Sequence, residues 1–296
     1  MSDGNRLAVV TVTFNSVKVI DEFLLSAARQ SLPDFKLYVI DNASTDGTVE
    51  RLEVASRADG RIVVVANAEN LGFAEGSNQG IRLALEDGRT HVLLLNNDTT
   101  FPAELFATLM HAAVTNAQSV VVPKIYYHGD PKRLWFAGGR LVPSRGYTGQ
   151  HLGDGELDNG QFDVERNIEF SSGCCMLVAV SVFRTVGLLD PRYFVYHEDV
   201  DFCLRLARAG VPIWYAPHAY LYHKVSSLTG GVSSPFSARM GARNRAYYLK
   251  KNFGPFTFAY FSSVYLAYLL MRWVSGRDSW DSFRLKAKAF AEGLRL

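Results

Sequence analysis

The stretch His91-Val92-Leu93-Leu94-Leu95-Asn96-Asn97-Asp98 is an apolar run that ends in three oxygen-bearing side chains. A run this short and apolar reads as a strand covered on both faces, the strand type of a parallel sheet packed between helix layers. Its polar end then lies at the carboxyl edge of the sheet, where open α/β folds bind their ligands. Oxygen ligands at such an edge suit a hard divalent cation, Mg2+ or Mn2+. The same residue types also make ordinary turns and helix caps, so the triplet gains meaning only from its neighbours.

Upstream, two hydrophobic periods alternate. Leu7–Phe14, Phe35–Asp41 and Ile62–Ala66 read as apolar strands; Val17–Gln30, Thr45–Ser56 and Ala74–Leu85 read as helices. This alternation predicts βαβ units, hence an α/β fold with a doubly wound, mostly parallel sheet flanked by helices. Downstream, Ser119–Lys124 reads as another strand and Glu169–Val180 as strand-like sequence around Ser172 and Gly173. Between them, Gly129–Gly160 reads as a long polar loop around Trp135, expected to serve the acceptor side. A helix is expected from Glu198 to a stop at Gly210 and Pro212. Residues 1–235 are expected to form the main domain, with 1–100 its first half and 101–235 its second. Residues 236–296 are expected to form a helical extension.

Composition narrows the function. With 296 residues, 48% hydrophobic and 20% charged, the chain can bury a large core. A net charge of +2, with no basic stripe before residue 239, argues against a nucleic-acid binder. Cys174, Cys175 and Cys203 lack metal-site spacing and read as buried thiols of a reducing compartment. The N-terminal apolar run is too brief for a signal peptide, so a cytoplasmic protein is expected. Phe256–Met271 is uncharged, rich in aromatics and flanked by Lys250, Lys251, Arg272 and Arg277. It falls short of the roughly 20 residues that span a bilayer. Two readings stand level: peripheral contact with the inner face of the plasma membrane, or a helical hairpin packed on the core or on a second copy in a homo-oligomer.

Four further segments carry chemistry. Thr13-Phe14-Asn15-Ser16 closes the first strand, and Asp41, just before the turn Asn42–Thr48, closes the second. A carboxylate there can accept the N3–H of uracil or thymine. In Asn70-Leu71-Gly72-Phe73-Ala74-Glu75-Gly76 the glycines permit close backbone approach, and a helix starting near Ala74 offers free N–H groups to a phosphate. Neither segment fits the dinucleotide fingerprint, which argues against an NAD enzyme. In His197-Glu198-Asp199-Val200-Asp201, pairing with Arg205 explains Asp201, leaving one of Glu198 and Asp199 as a general base. The helix N-terminus is expected to hold that carboxylate ionised. His223, ending the short run Tyr220-Leu221-Tyr222, is placed to complete a metal site.

Taken in order, VVTVTFNS, VIDNASTDGT, NLGFAEGSNQG, LLLNNDT, FSSGCCMLV and GLLDPRYFVYHEDVDFCLRLARAG followed by YLYH resemble the inverting glycosyltransferases of family 2, with the GT-A fold. The likeness spans residues 7–223 and is strongest to the rhamnosyltransferase and galactofuranosyltransferase-like branch. It implies transfer of a sugar from a UDP- or dTDP-activated donor to a hydroxyl of a glycan or lipid-linked glycan, assisted by Mn2+ or Mg2+, in bacterial surface-polysaccharide synthesis. It places the nucleotide at Thr13, Asn15, Asp41, Asn70, Gly72 and Asn97, and the metal at Asp98 and His223. Asn96 and Asn97 stand where the family's D-x-D-like motif carries its earlier positions, so a single carboxylate remains. Asp199 becomes the base, beside Glu198. Trp135, Gly138, Gly139, Ser172 and Gly173 fall on the acceptor side. Two rivals remain. A sugar nucleotidyltransferase would carry a glycine-rich basic loop after the first strand, which Phe14-Asn15-Ser16 is not. A catalytically silent glycan-binding scaffold has no use for Asp98 and Asp199.

Overall fold

The apolar runs of the first hundred residues become four neighbouring parallel strands. In the computed structural model, which describes residues 6–225 and 234–296, β1 (Leu7–Thr13) is followed by α1 (Ile20–Ala28), β2 (Phe35–Asp41), α2 (Thr48–Ala58), β3 (Ile62–Ala66), α3 (Gly72–Glu86) and β4 (His91–Leu95). β1 lies between β2 and β4, and β2 pairs with β3, all in parallel. Both early helices start later than their periodicity predicts. The Val17 N–H is held by the Asp46 carboxylate at 3.0 Å, which keeps residues 17–19 in a turn. The same carboxylate takes the Thr48 N–H at 3.1 Å, so α2 begins at Thr48 rather than Thr45.

α3 rests on β1 at a distance only glycine allows. A Cβ at Gly76 would stand 2.9 Å from Val12 Cγ1, and one at Gly80 would stand 2.3 Å from Val10 Cγ1. The glycines at i and i+4 form the groove that receives the strand's valines.

The second half completes the sheet. After β5 (Thr99–Thr100) and α4 (Leu105–Thr115), β6 (Val120–Tyr127) turns back into β7 (Asp130–Phe136). β8 (Gly139–Val142) and β9 (Thr148–His151) form a separate hairpin. The region expected to be a polar loop is thus folded into paired strands. Pro143 and the left-handed Gly146 (φ 69°) make the turn between β8 and β9. β10 (Arg166–Ile168), β11 (Cys175–Ala179), α5 (Val180–Val186), α6 (Glu198–Arg208) and β12 (Ile213–His223) follow. β11, expected to start near Glu169, begins only at Cys175. The sheet order is β10-β12-β6-β11-β4-β1-β2-β3, with β11 antiparallel to both its neighbours and β6 parallel to β12.

The chain ends in α7 (Pro235–Asn252), α8 (Pro255–Val274) and α9 (Trp280–Gly293). α7 belongs to the body of the molecule, since Tyr247, Tyr248 and Leu249 join the same hydrophobic cluster as the sheet. Its Lys251 ammonium lies 2.9 Å from the carboxylates of both Asp190 and Asp201. α8 lies outermost, burying only Phe261, Ser262 and Leu269. Among the described residues no helix is long and apolar enough to cross a membrane.

Candidate active site

Strand direction assembles the site. β4 and β12 end at one edge of the sheet; β11 runs the other way, so its start lies at that same edge, with Cys175 opposite Leu95. The segments 96–98, 172–174 and the end of β12 therefore meet. A cleft of about 1090 Å3 opens there, lined also by the start of α6, by β9 and by the first turns of α7.

At its floor Asp98 Oδ1 lies 3.1 Å from His223 Nε2, both side chains more than nine-tenths buried. Burial pulls the imidazole down, but the Cys174 sulfur and the Asp98 carboxylate beside it outweigh burial and lift it to about 10. The pair fits a divalent cation as a two-ligand site, a hard carboxylate oxygen beside an imidazole that gives up its proton on binding metal. No group of three or more His, Cys, Asp or Glu side chains suited to a metal occurs among the described residues. Mg2+-type sites commonly stop at one or two protein ligands and take the rest from substrate phosphate and water. Asn97 also lines the cleft, and its amide nitrogen has a structural task. Its amide donates to Val12 O at 2.7 Å and Ser16 Oγ at 3.0 Å, stitching the end of β4 to the end of β1.

The acids of α6 separate into different tasks. Asp201 is fully buried and receives Arg205 Nε at 2.8 Å, Tyr193 Oη at 3.1 Å and Lys251. It is a structural hub, as its spacing from Arg205 predicted. Asp199 lines the cleft and accepts the Val200 N–H at 2.8 Å and the Gly173 N–H at 3.2 Å. Gly173, expected on the acceptor side, thus orients this carboxylate. Burial lifts the Asp199 carboxyl above its ordinary range despite those donors and nearby His151. The expected stabilisation of the anion by the helix N-terminus is therefore outweighed by desolvation. Glu198, also on the cleft, is lifted well above the usual range by burial and then by Asp199. Its Oε2 has no hydrogen-bond partner among the described residues.

The approach to α6 is strained. Phe194, Tyr196 and His197 all hold positive φ, 65°, 71° and 75°, a region that costs non-glycine residues about 1–3 kcal/mol each. Asn244 of α7 over-determines this backbone, its amide nitrogen lying 2.7–2.8 Å from the carbonyls of Tyr193, Val195 and Tyr196. Burial, followed by the Arg245 charge, depresses the His197 imidazole to about 3, so it stays neutral.

On the hairpin side Trp135 packs edge-on to His223 at 4.5 Å and to His151 at 4.6 Å. The reading of residues 129–160 as a loop overlooked His151. The signal was the Pro143–Gly146 turn between two short runs, which predicts a hairpin and so brings residue 151 back beside Trp135. His151 Nδ1 lies 3.0 Å from the Trp135 carbonyl, which can only accept, so Nδ1 carries the proton and Nε2 is a lone pair. Burial lowers this imidazole and keeps it neutral. Gly138 and Gly139 lie off the cleft. A Cβ at Gly139 would stand 2.5 Å from Phe170 O, so that glycine serves packing. Ser172 lines the cleft beside Gly173, its Oγ without a partner among the described residues.

The expected nucleotide residues lie along the ends of β1, β2 and β3 and are already engaged. Asp41 is fully buried, its carboxylate accepting Thr13 Oγ1 at 2.7 Å, Ser44 Oγ at 2.6 Å and Ser44 N at 2.8 Å. Asn15, exposed and left-handed at φ 50°, ties the two loops by accepting Thr45 N–H at 2.9 Å. The N-terminus of α3 is not open to a phosphate as expected. Asn70 Oδ1 takes the Gly72 N–H at 2.9 Å, and Phe194 O takes the Ala74 N–H at 3.2 Å. Gly72 (φ 83°) is required because a Cβ would meet Phe194 at 2.6 Å.

Against known proteins, the family model described as "Glycosyl transferase family 2" matches residues 8–187. An N-acetylglucosaminyl-diphospho-decaprenol L-rhamnosyltransferase of Mycobacterium tuberculosis is 29% identical over 76% of this chain and 78% of its own length. A dTDP-rhamnosyl transferase, RfbF, of Shigella flexneri is 21% identical over 85% and 82%. Among solved structures, a mannosyltransferase of Pyrobaculum calidifontis, in complex with GDP-Man and Mn2+, superposes at a TM-score of 0.60 and 16% identity, covering 98% of this chain and 75% of that one. GalNAc-T7 with UDP, GalNAc and Mn2+ superposes at 0.66 and 15% identity, covering 84% and 48%.

Proposed function

The chain belongs to glycosyl transferase family 2 and is a nucleotide-sugar glycosyltransferase, and from that premise we propose that it moves rhamnose or a similar hexose from a UDP- or dTDP-sugar to a hydroxyl of a glycan or lipid-linked glycan, with inversion. The observation that carries this reading is one cleft holding a cation-competent pair, Asp98 and His223, together with a basic carboxylate, Asp199. The rhamnosyltransferases among its relatives support the sugar, and the diphospho-decaprenol in the name of one supports a lipid-linked acceptor; we place the reaction in bacterial surface-glycan synthesis at the cytoplasmic side.

Asp199 takes the proton of the acceptor hydroxyl as the oxygen attacks the anomeric carbon opposite the leaving nucleotide. Its raised proton affinity makes it a stronger base than an exposed aspartate. His151 Nε2 and the indole of Trp135 orient the acceptor. Asp98 and His223 would hold the divalent cation, which when bound offsets charge on the departing diphosphate. The nucleotide lies along the ends of β1 to β3, where Phe14 and Asn15 are exposed; buried Asp41 fixes the shape of that edge through Thr13 and Ser44.

A donor screen with purified protein and Mn2+ or Mg2+, reading nucleoside diphosphate release and the anomeric configuration of the product by NMR, tests the reading. EDTA should abolish transfer and either cation should restore it. Tight nucleotide binding without turnover on any donor would make the protein a silent scaffold.

A further inference from the structure

α8 carries its apolar side outward. Phe256 is 90% exposed, Val274 72%, Tyr260 63% and Met271 55%. With Val264 and Ala267 they recur at helical spacing and form one continuous face. Contiguous apolar surface of this kind on a folded protein marks a binding face. Beside it, α9 exposes Arg284 and Lys288, one turn apart, with Arg295 beyond its end. At the turn between the helices Trp273, Trp280 and Phe283 stack with ring centroids 4.8–5.6 Å apart. The acids of this region are largely neutralised. Asp278 is held by Arg272 at 2.9 Å and Lys286 at 2.8 Å, and Glu292 by Arg239 at 2.9 Å. Asp281 stays exposed.

We propose that α8 and α9 together form a docking face for an anionic lipid bilayer. The uncharged face of α8 lies at the boundary between headgroups and acyl chains, the tryptophans sit at headgroup depth, and the outward arginine and lysine of α9 meet the negative charge. The partner is a lipid surface rather than a second copy because of the charge beside the apolar stripe. A two-fold contact sets one surface against itself, which would bury Arg277, Arg284 and Lys288 of both copies in one interface, with Asp281 the one exposed acid of the two helices to pair them. Docking also bears on acceptor access. α7 lines the cleft with Ser237 and Gly241 and leads at its other end into α8, so the cleft stands within the length of α7, about 27 Å, of the lipid face. That last consequence rests on the lipid-linked acceptor proposed above; the docking itself does not.

The test is co-sedimentation of the full chain with phosphatidylcholine vesicles, with and without phosphatidylglycerol, at low and high salt, with no substrate present. The protein should pellet with the phosphatidylglycerol vesicles and be released by salt. A double substitution, Arg284→Glu with Lys288→Glu, should weaken binding at least about tenfold. A triple substitution to serine at Phe256, Met271 and Val274 should abolish it while leaving the melting temperature unchanged, because these side chains are exposed in the free protein. Protein that stays in the supernatant with anionic vesicles at low salt overturns the proposal. So does a dimer, seen by sedimentation equilibrium, that the triple variant dissolves, since the face then belongs to a second copy.

Discussion

Adjacent side chains at the start of α6 show how little sequence position says about charge. Asp199 and Glu198 both line the cleft, and Asp199 has two backbone donors while Glu198 Oε2 has none. Asp199→Asn keeps the shape and removes the base, so kcat should fall about 10²–10⁴-fold with donor KM nearly unchanged; Glu198→Gln should lose less. If Glu198→Gln is the dead variant and Asp199→Asn turns over normally, the base is Glu198. The wild-type profile of kcat against pH should show its acid limb above the ordinary aspartate value, because Asp199 must ionise and burial resists that. Glu198 allows a separate measurement. The folded state binds its proton more tightly than the unfolded state, so stability is lost as pH rises from 4.5 through the folded value. Glu198→Gln removes that loss, and its melting temperature should exceed the wild type's in alkaline buffer and converge with it in acid. At this scale the sequence revealed which residues gather, since Asp98, Asp199 and His223 all stand at the cleft. It did not reveal their electrostatics, because the helix N-terminus is visible in a sequence and desolvation is not.

Elements explain where partners were misread. The glycines of Asn70–Gly80 do permit close backbone approach, but the neighbours they admit are β1 and Phe194 rather than a phosphate. A sequence shows that something must come near and leaves open what does. The β8–β9 hairpin was missed for another reason. Its strands are four residues each, too short for alternation to show, and only the turn residues betray it. One side chain of α7, Asn244, bridges three carbonyls of the segment 193–197. Asn244→Ala would take the shared amide donor from the carbonyls of Tyr193, Val195 and Tyr196, a loss of about 1–3 kcal/mol. The strained backbone should then relax and carry α6 with it. Calorimetry should record the lower stability, and kcat should drop while nucleotide affinity holds; unchanged kcat in a destabilised variant would assign Asn244 to stability alone.

For the molecule as a whole, the four-strand parallel block was legible because each βαβ unit is local. The seam joining the halves was not, since β11 enters antiparallel between β4 and β6 and β12 closes on β6 from far along the chain. Nor did composition reveal that α7 supplies core residues and the Lys251 bridge. A chain ending at residue 225 would strip Lys251 from Asp190 and Asp201, leaving them only the cations Arg192 and Arg205, and would remove Tyr247, Tyr248 and Leu249 from the core. Its thermal transition should be broad or absent, and a cooperative melt like that of the full chain would show that α7 is dispensable. The strand order also sets a timetable for synthesis. β6 emerges from the ribosome with β7 as its ladder partner, while the neighbours that cover its valine-rich edges follow at residues 175–179 and 213–223. At roughly 5–20 residues per second, the last of them lags by about 5–20 s. Throughout that interval the nascent protein presents an open apolar ladder to its surroundings, so a factor that covers β6 during translation should raise the soluble yield without changing the melting temperature of the finished fold.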